Sequence, residues 1–465
     1  MGQALPSVAP GDRPSWWLEN APPDPAAPPL AGDLACDVAV GGGGYTGLWT
    51  ALALKEREPG LDVAVLEAEF CGFGPSGRNG GFLESFWPGL ASLRERIGDD
   101  GALAVARAST GVFAAARALG DDVSLRESGM LMVSAAPAQD AAVERAVEAA
   151  AALGVPGEAV ALSAAEVVAR CSSPRFRRGV LFRSAGTVQP AALARALRRA
   201  ALARGARLYE GTRATRIADG LVATARGRLR AADVVVATNA WMTGWRPVRR
   251  RLTNFGSYVV LTEPVPDLLA AIGWTGGEAI VDGRMFVRYF RTTDDGRVLM
   301  GSGSGPIGFG GRVDRRFTHD AQSAARAEQG LRELLPGLAA ARIERTWGGP
   351  IDVSADHLPF FGTVPGTRIH FGAGYSGNGA GPSWLGGQIL ASLVLGSDDE
   401  RSRSPLATRR VPSFPPEPLR RLGGGIVRWG ILSLEEAEES GRRPPAGARL
   451  VASLPRRFGL RVGTR

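Results

Sequence analysis

The sequence predicts an α/β protein with two domains, a Rossmann-type domain assembled from separated segments and a second α+β domain built on an antiparallel sheet. A glycine-rich turn at residues 41–47 stands between a short strand and a helical stretch, and a second strand follows at 61–67. Later strands at 257–263 and 285–302 carry the hairpin signal Asp295-Gly296. A chain of 465 residues is also too long for one hydrophobic core.

The N-terminal turn has the spacing of a dinucleotide-binding turn. Gly42, Gly44 and Gly47 form the pattern G-x-G-x-x-G, and Glu67 ends the next strand. The first glycine permits a tight turn, the second lets the backbone approach a pyrophosphate, and the third lets helix and strand pack closely. Amides at the helix N-terminus attract phosphates, and Glu67 can accept hydrogen bonds from ribose hydroxyls. This unit predicts a dinucleotide and leaves FAD and NAD both open.

A second glycine-rich loop, CGFGPSGRNGG at 71–81, follows this unit. With this loop, the sequence resembles the glycine oxidase/D-amino-acid oxidase (DAO) superfamily, and within it the gamma-glutamylputrescine oxidoreductase-like branch. The resemblance is carried by GGGYTGL at 42–48, the acidic strand end and the loop at 74–81. It implies a Rossmann-type FAD-binding domain with FAD as the cofactor. The residues so implied in FAD binding are Gly42, Gly44, Tyr45, Thr46, Gly47, Glu67, Ser76, Arg78, Asn79 and Gly80.

Two further segments extend the resemblance. The strand near Ala214 is implied to contact the adenine through its backbone, and the motif at 369–390 is implied to bring Gly377, Asn378 and Gly379 to the pyrimidine edge of the flavin. A helix N-terminus there would stabilise the negative charge of reduced flavin. The alternative is a second tight strand-to-helix joint without a ligand. Because an ordinary NAD dehydrogenase does not need this late motif, it favours FAD.

The segments divide between the domains as follows. We expect an extended N-terminal lead-in at 1–34, which is rich in proline and carries Trp16 and Trp17, and a C-terminal tail at 397–465 with a final helix near 432–440. The discontinuous FAD-binding domain is predicted at 35–99, 166–240 and 346–396. The substrate domain is predicted at 100–165 and 241–345.

Three residues of the substrate domain and its border are the candidate catalytic group. The family places an antiparallel sheet here, above the flavin, and Tyr289, Arg291 and Trp347 would then meet the substrate. An arginine can bind a carboxylate through two parallel hydrogen bonds. The alternatives are a solvated strand face for Arg291 and ordinary core packing for Trp347.

Composition limits the other possibilities. The net charge is +9, but arginines and acids are interleaved, so we expect no nucleic-acid partner and no membrane association. The three cysteines and three histidines show no ligand spacing, which predicts no metal site. Without a signal-peptide pattern, the reducing cytoplasm is the expected location. The only lysine, Lys55, is predicted at an exposed helix end.

These observations predict an FAD-dependent oxidoreductase. It would oxidise a C–N bond of an amine or amino acid by hydride transfer to flavin N5, giving an imine that hydrolyses. Oxygen or another electron acceptor would reoxidise the flavin. In sarcosine-oxidase relatives a lysine over the flavin promotes reaction with oxygen, so a chain whose only lysine is Lys55 argues against an oxidase and leaves a dehydrogenase open. The alternatives are a tRNA-modifying flavoprotein of the same superfamily, a flavin-binding protein without turnover, and a NAD-dependent dehydrogenase.

Overall fold

The computed structural model describes residues 15–462, so residues 1–14 of the predicted lead-in lie outside the described residues. Within that range the strands are β1 (Leu34–Gly41), β2 (Val63–Leu66), β3 (Phe82–Glu84), β4 (Met130–Val133), β5 (Val160–Leu162), β6 (Gly179–Phe182), β7 (Ala185–Thr187), β8 (Arg207–Tyr209), β9 (Ala214–Ala218), β10 (Leu221–Thr224), β11 (Arg228–Val236), β12 (Leu252–Thr262), β13 (Ala279–Asp282), β14 (Arg288–Thr292), β15 (Val298–Ser302), β16 (Ile343–Ser354), β17 (Phe360–Thr363) and β18 (Ile369–Ala373).

The α-helices of the same range are α1 (Trp16–Glu19), α2 (Tyr45–Arg57), α3 (Leu90–Ser109), α4 (Gly111–Arg117), α5 (Asp140–Ala152), α6 (Ala164–Val168), α7 (Pro190–Ala203), α8 (Pro266–Ala271), α9 (Ala321–Leu334), α10 (Pro382–Val394), α11 (Pro405–Thr408), α12 (Leu419–Glu439) and α13 (Ala446–Arg457). None of these helices is long and apolar enough to cross a bilayer.

The first sheet is a parallel sheet of the Rossmann type with antiparallel additions. Its order is β17-β18-β11-β1-β2-β8, and β8, β2, β1, β11 and β18 run parallel. Val38 and Val40 of β1 and Val63 and Val65 of β2 are buried in one core with α2, as parallel strands covered by helices require. The predicted α/β class with a Rossmann-type domain is confirmed.

The turn between β1 and α2 needs glycine for steric reasons at two positions. Gly42 has a φ of +112°, which side chains other than glycine rarely adopt. A Cβ on Gly47 would lie 1.9 Å from the carbonyl oxygen of Gly42, so any side chain there would push α2 away from β1. The closeness of helix and strand therefore depends on Gly47.

The second sheet has the order β16-β12-β15-β14-β13-β4-β6-β5 and is antiparallel except for the parallel pair β4 and β13. The predicted hairpin lies at β14 and β15, where Thr292 pairs with Val298. Two stretches that we assigned to the FAD-binding domain form strands here instead. Strand β6 pairs with β4 and β5, and β16 pairs with β12 along its length. The sequence did not reveal that β6 and β16 join the second sheet, because the pattern of a strand does not specify which sheet it joins.

The two ends of the described chain pack onto the body. Trp17 is 1% exposed, and its Nε1 donates to the Asn79 carbonyl at 2.9 Å, as expected for a buried lead-in tryptophan. The tail forms the longer α12 and then α13, so the predicted final helix near 432–440 is only the end of α12. Lys55 is also buried rather than exposed, and its ammonium donates to the carbonyls of Pro59 and Leu61.

Candidate functional site

A cavity of about 810 Å³ lies at the carboxyl ends of β1, β2, β11 and β18. This is the edge of an open α/β sheet where ligands bind. The turns after these strands line one side, and the inner face of the second sheet lines another. Tail segments 414–428 and 454–462 complete the wall. The volume falls in the range of about 300–1,000 Å³ that is typical of cofactor and substrate pockets.

The dinucleotide turn and Glu67 meet at one end of this cavity. Gly42, Gly44 and Glu67 all line it. The Glu67 carboxylate accepts from the Gly43 amide at 2.7 Å and from the Glu69 amide at 3.0 Å. Burial raises the pKa of Glu67 despite these hydrogen bonds. The first strand end, the second strand end and the turn are thereby held as one unit.

The start of α2 presents backbone rather than side chains to the cavity. Its N-cap is Gly44, which has no side chain to cap the amides of the first turn. The Tyr45 hydroxyl points away and donates to the Pro190 carbonyl at 2.9 Å, while the Thr46 hydroxyl donates to the Tyr375 hydroxyl at 2.7 Å. Ser76 accepts from the Tyr45 amide, and the amides that follow it at the helix N-terminus suit a phosphate. These contacts support a pyrophosphate at this turn.

The loop at 74–81 is built by its own polar side chains. Ser76 Oγ accepts from the Tyr45 amide at 3.0 Å. The Asn79 amide nitrogen donates to the carbonyls of Pro75 and Ser76, and its oxygen accepts from the Gly81 amide at 2.8 Å. Arg78 is buried, with Nε 3.1 Å from the Phe73 carbonyl. All three side chains therefore shape the loop, and all three residues line the cavity.

Gly80 brings this loop against the second sheet. A Cβ on Gly80 would lie 2.7 Å from the Tyr289 ring, so only glycine permits the approach. Tyr289 lines the cavity, and its hydroxyl is 2.8 Å from Ser257 Oγ. Its ring packs edge-on against Phe82 with centroids 5.6 Å apart. Burial raises the pKa of Tyr289 to about 12, so this phenol stays protonated at neutral pH. The structure thus places Tyr289 in the cavity wall, and its contact with a substrate stays a prediction.

Arg291 does not lie where the sequence placed it. Its side chain is 2% exposed and does not line the cavity. The guanidinium donates to the carbonyls of Gly81 at 3.0 Å, Val188 at 2.6 Å and Thr292 at 3.0 Å. Burial lowers its pKa to about 9. Because Nε and one terminal nitrogen donate to backbone carbonyls and the side chain lies outside the cavity lining, Arg291 joins the second sheet to the loop at 74–81.

Trp347 is also behind the cavity wall. It is 4% exposed, and its Nε1 donates to the Arg78 carbonyl at 2.8 Å. Its ring packs edge-on against Trp17, with centroids 6.2 Å apart. Trp347 therefore supports the 74–81 loop from beneath, and the core-packing alternative describes it better than contact with a substrate.

The turn after β18 lines the cavity opposite the 74–81 loop. Gly377, Asn378 and Gly379 all face the cavity, and Gly377 has a φ of +93°. The carboxylate of Asp352 accepts from the backbone amides of Gly374 and Tyr375 at the start of this turn. Sequence reasoning missed Asp352, whose signal was an acid within the apolar strand β16.

Two more cavity residues were missed. The Asn239 side-chain amide, after β11, donates to Asp352 at 2.8 Å and so joins two strand ends. Glu84, after the 74–81 loop, accepts from the Asn378 side-chain amide at 3.4 Å. Ala214, which was predicted, lines the cavity near the first sheet. The missed residues contact partners far away in the chain, which a local pattern does not reveal.

The arrangement fits an extended dinucleotide. One cavity connects the glycine turn, Glu67 and Ala214 with the 377–379 turn and the Tyr289 roof. Glycines stand where a Cβ would fill the space or crowd a neighbour, as at Gly44, where a Cβ would lie 3.0 Å from Ser76 Oγ. Such a ligand would place phosphates at α2 and its far ring system beneath Tyr289. The residues present therefore fit FAD.

Comparisons with known proteins agree with this geometry. Residues 37–393 match the family model DAO, FAD dependent oxidoreductase. The chain is 31% identical over 400 residues to gamma-glutamylputrescine oxidoreductase of Escherichia coli (strain K12), covering 82% of this chain and 88% of that protein. It is 29% identical to the probable oxidoreductase OrdL of Rhizobium meliloti (strain 1021), covering 90% and 95%. Glycine oxidase from Geobacillus kaustophilus shares the fold, with a TM-score of 0.66 at 23% identity over 81% of this chain and 99% of that one.

Proposed function

Because the chain belongs to the DAO family of FAD-dependent oxidoreductases, we propose that it oxidises a C–N bond of a small amine or amino acid. When bound, FAD would supply a hydride acceptor for the carbon next to the nitrogen, and the imine so formed would hydrolyse in water. The observation that carries this proposal is the continuous cavity from the dinucleotide turn to the Tyr289 roof. A separate electron acceptor, oxygen or another, completes the cycle.

Different segments along the cavity would bind different parts of FAD. Backbone amides of the turn at 42–47 would bind the pyrophosphate, and Glu67 would accept from the ribose hydroxyls. Backbone near Ala214 would contact the adenine, and the 377–379 turn would donate to the pyrimidine edge. Asp352 and Asn239 support that turn from behind, since they join the segments that lead into it.

The roof above the flavin site would orient the substrate and exclude water. Tyr289, held by Ser257, and Phe82 form an apolar wall on that side. Tight enclosure aligns the reacting C–H bond and strengthens electrostatic interactions within the site. A protonated Tyr289 supplies a hydrogen-bond donor but no base, so the roof positions the substrate rather than removing its proton.

The decisive experiment is an absorbance spectrum followed by anaerobic additions of amines and amino acids. We expect flavin absorbance in the purified protein, release of FAD on denaturation, and bleaching by at least one amine or amino acid. Recovery of colour on admitting air would identify an oxidase, and recovery only with an added dye would identify a dehydrogenase. A flavoprotein that no compound bleaches would contradict the proposed activity.

We also propose a cytoplasmic location. Its support is chemical, since Cys36, Cys71 and Cys171 are all unpaired thiols, as a reducing compartment permits. Burial raises the pKa of Cys171 to about 12, which makes that thiol unreactive. Fractionation of the producing cell with an antibody to this chain would test the proposal, and a periplasmic or secreted protein would contradict it.

A further inference from the structure

Glu84 is a carboxyl group in the wall of the cavity beside the 377–379 turn. Strand β3, which ends at Glu84, lies so close to the start of α10 that a Cβ on Gly381 would be 1.7 Å from the Glu84 carbonyl oxygen. The Glu84 side chain is half-buried, lines the cavity and accepts from Asn378 at 3.4 Å. It therefore stands next to the residues assigned to the pyrimidine edge of the flavin.

The charge of Glu84 is not balanced by the protein. Among the described residues, Glu84 forms no ion pair, and the one hydrogen bond of its side chain is the long contact with the neutral amide of Asn378. Burial is the sole cause that raises its pKa, which reaches about 7. A carboxylate partly removed from water without a counter-charge is less favourable than a solvated one unless a ligand supplies that charge.

The surfaces around Glu84 are aromatic. Phe82, Phe86 and Tyr289 line the same cavity, and Phe82 and Tyr289 pack edge to face. Aromatic faces attract cations as well as alkyl groups. A carboxylate within such a wall is complementary to an alkylammonium ion, which combines one positive charge with an apolar chain.

We propose that Glu84 binds the positively charged nitrogen of the substrate and accepts one proton from it before the neighbouring carbon gives up its hydride, so that the enzyme selects amines that enter the cavity as alkylammonium ions. This inference rests on the amine-oxidising function proposed above. The inference concerns how the site recognises a positive charge, whereas the proposed function concerns oxidation. It can therefore be tested by measuring the binding of compounds that the enzyme does not need to oxidise.

The first test uses the FAD-loaded wild-type protein. Choline and 3,3-dimethylbutan-1-ol have the same shape and differ in the positive charge, because a carbon replaces the nitrogen. Their dissociation constants can be measured at pH 8.5 from the perturbation of the flavin absorbance. We expect choline to bind at least tenfold more tightly, as attraction between opposite charges in a partly buried site should give. Equal dissociation constants would overturn the proposal without any variant.

The second test compares three variants. Glu84→Gln keeps the size and removes the charge, and we expect it to abolish the preference for choline. Glu84→Asp keeps the charge and should retain most of that preference. Glu95→Gln is the matched control, because Glu95 lines the same cavity from α3 but is paired with Arg461. An undiminished preference in Glu84→Gln would refute the role of Glu84.

The outcomes also separate this inference from the proposed function. If no amine or amino acid bleaches the wild-type flavin while choline binds through Glu84, the oxidation proposal fails and the cation site stands. If an amine bleaches the flavin and Glu84→Gln leaves the choline preference unchanged, the oxidation proposal stands and the cation site fails.

Discussion

The charged side chains at the cavity and its border differ in how many partners the protein gives them. Arg291 donates to three backbone carbonyls, and Asp352 accepts from two backbone amides and from Asn239. Even so, burial raises the pKa of Asp352 to about 6. Glu84 lacks such partners among the described residues. The buried charges that the protein satisfies hold segments together, whereas the half-buried carboxylate of Glu84 is open to a ligand of opposite charge.

Arg291→Met should reduce stability rather than substrate affinity. The substitution leaves the carbonyls of Gly81 and Val188 without their donor, which costs about 2–3 kcal/mol for buried groups. Thermal unfolding checks this, with Arg345→Met as the control because Arg345 is an exposed arginine paired with Glu19. A raised KM with unchanged thermal stability would instead restore the substrate role that the sequence suggested.

At the scale of secondary-structure elements, the packing of α2 against β1 fixes the position of the phosphate-binding turn. Helix α2 lies against β1 at a distance that only Gly47 permits, and its first amides are directed to the cavity end by that contact. The helix is buried along nearly its whole length between the sheet and helices α7 and α10. A shift of α2 would therefore move the phosphate site relative to Glu67.

Gly47→Ala should sharply reduce FAD retention. The new Cβ would meet the Gly42 carbonyl oxygen at 1.9 Å, which forces the turn to move. Overpacking of this kind typically costs about 1–3 kcal/mol, and the displaced amides should weaken FAD binding about tenfold or more. The ratio of flavin to protein absorbance after purification measures the loss. Gly60→Ala is the control, since a Cβ there would meet no atom within 4 Å; equal FAD content in both variants would contradict the packing argument.

At the scale of the whole molecule, the C-terminal tail packs against the second sheet and also lines the cavity. Glu435 of α12 is 1% exposed and accepts from Arg284 at 3.1 Å and from the backbone amides of Met285 and Phe286. The family match ends at residue 393, before this tail begins. The tail segments in the cavity wall therefore lie outside the matched region. The buried ion pair of Arg284 and Glu435 holds α12 against the second sheet.

Glu435→Ala should loosen the tail. The cost should stay below the about 3–5 kcal/mol of a fully broken buried ion pair, because Arg284 loses its nearest carboxylate but still pairs with Glu439 at 3.2 Å. Limited proteolysis should then cut within residues 410–460 faster, and the cavity should become more open to solvent. The control is Glu436→Ala, because Glu436 is the next residue of α12 and is exposed. Unchanged proteolysis in Glu435→Ala would show that the tail is held by other contacts.

The sequence by itself determined the α/β fold, the FAD-dependent family and the dinucleotide turn, because each depends on backbone demands that neighbouring residues encode. A tight turn needs Gly42, close packing needs Gly47, and the next strand ends in Glu67. Tertiary structure alone decided which side chains reach the cavity. Strand order brings Asn378 to Glu84 and turns Arg291 towards Gly81 and Val188. Such partners are distant in the chain, and a strand pattern states which face a side chain occupies but not what lies opposite it.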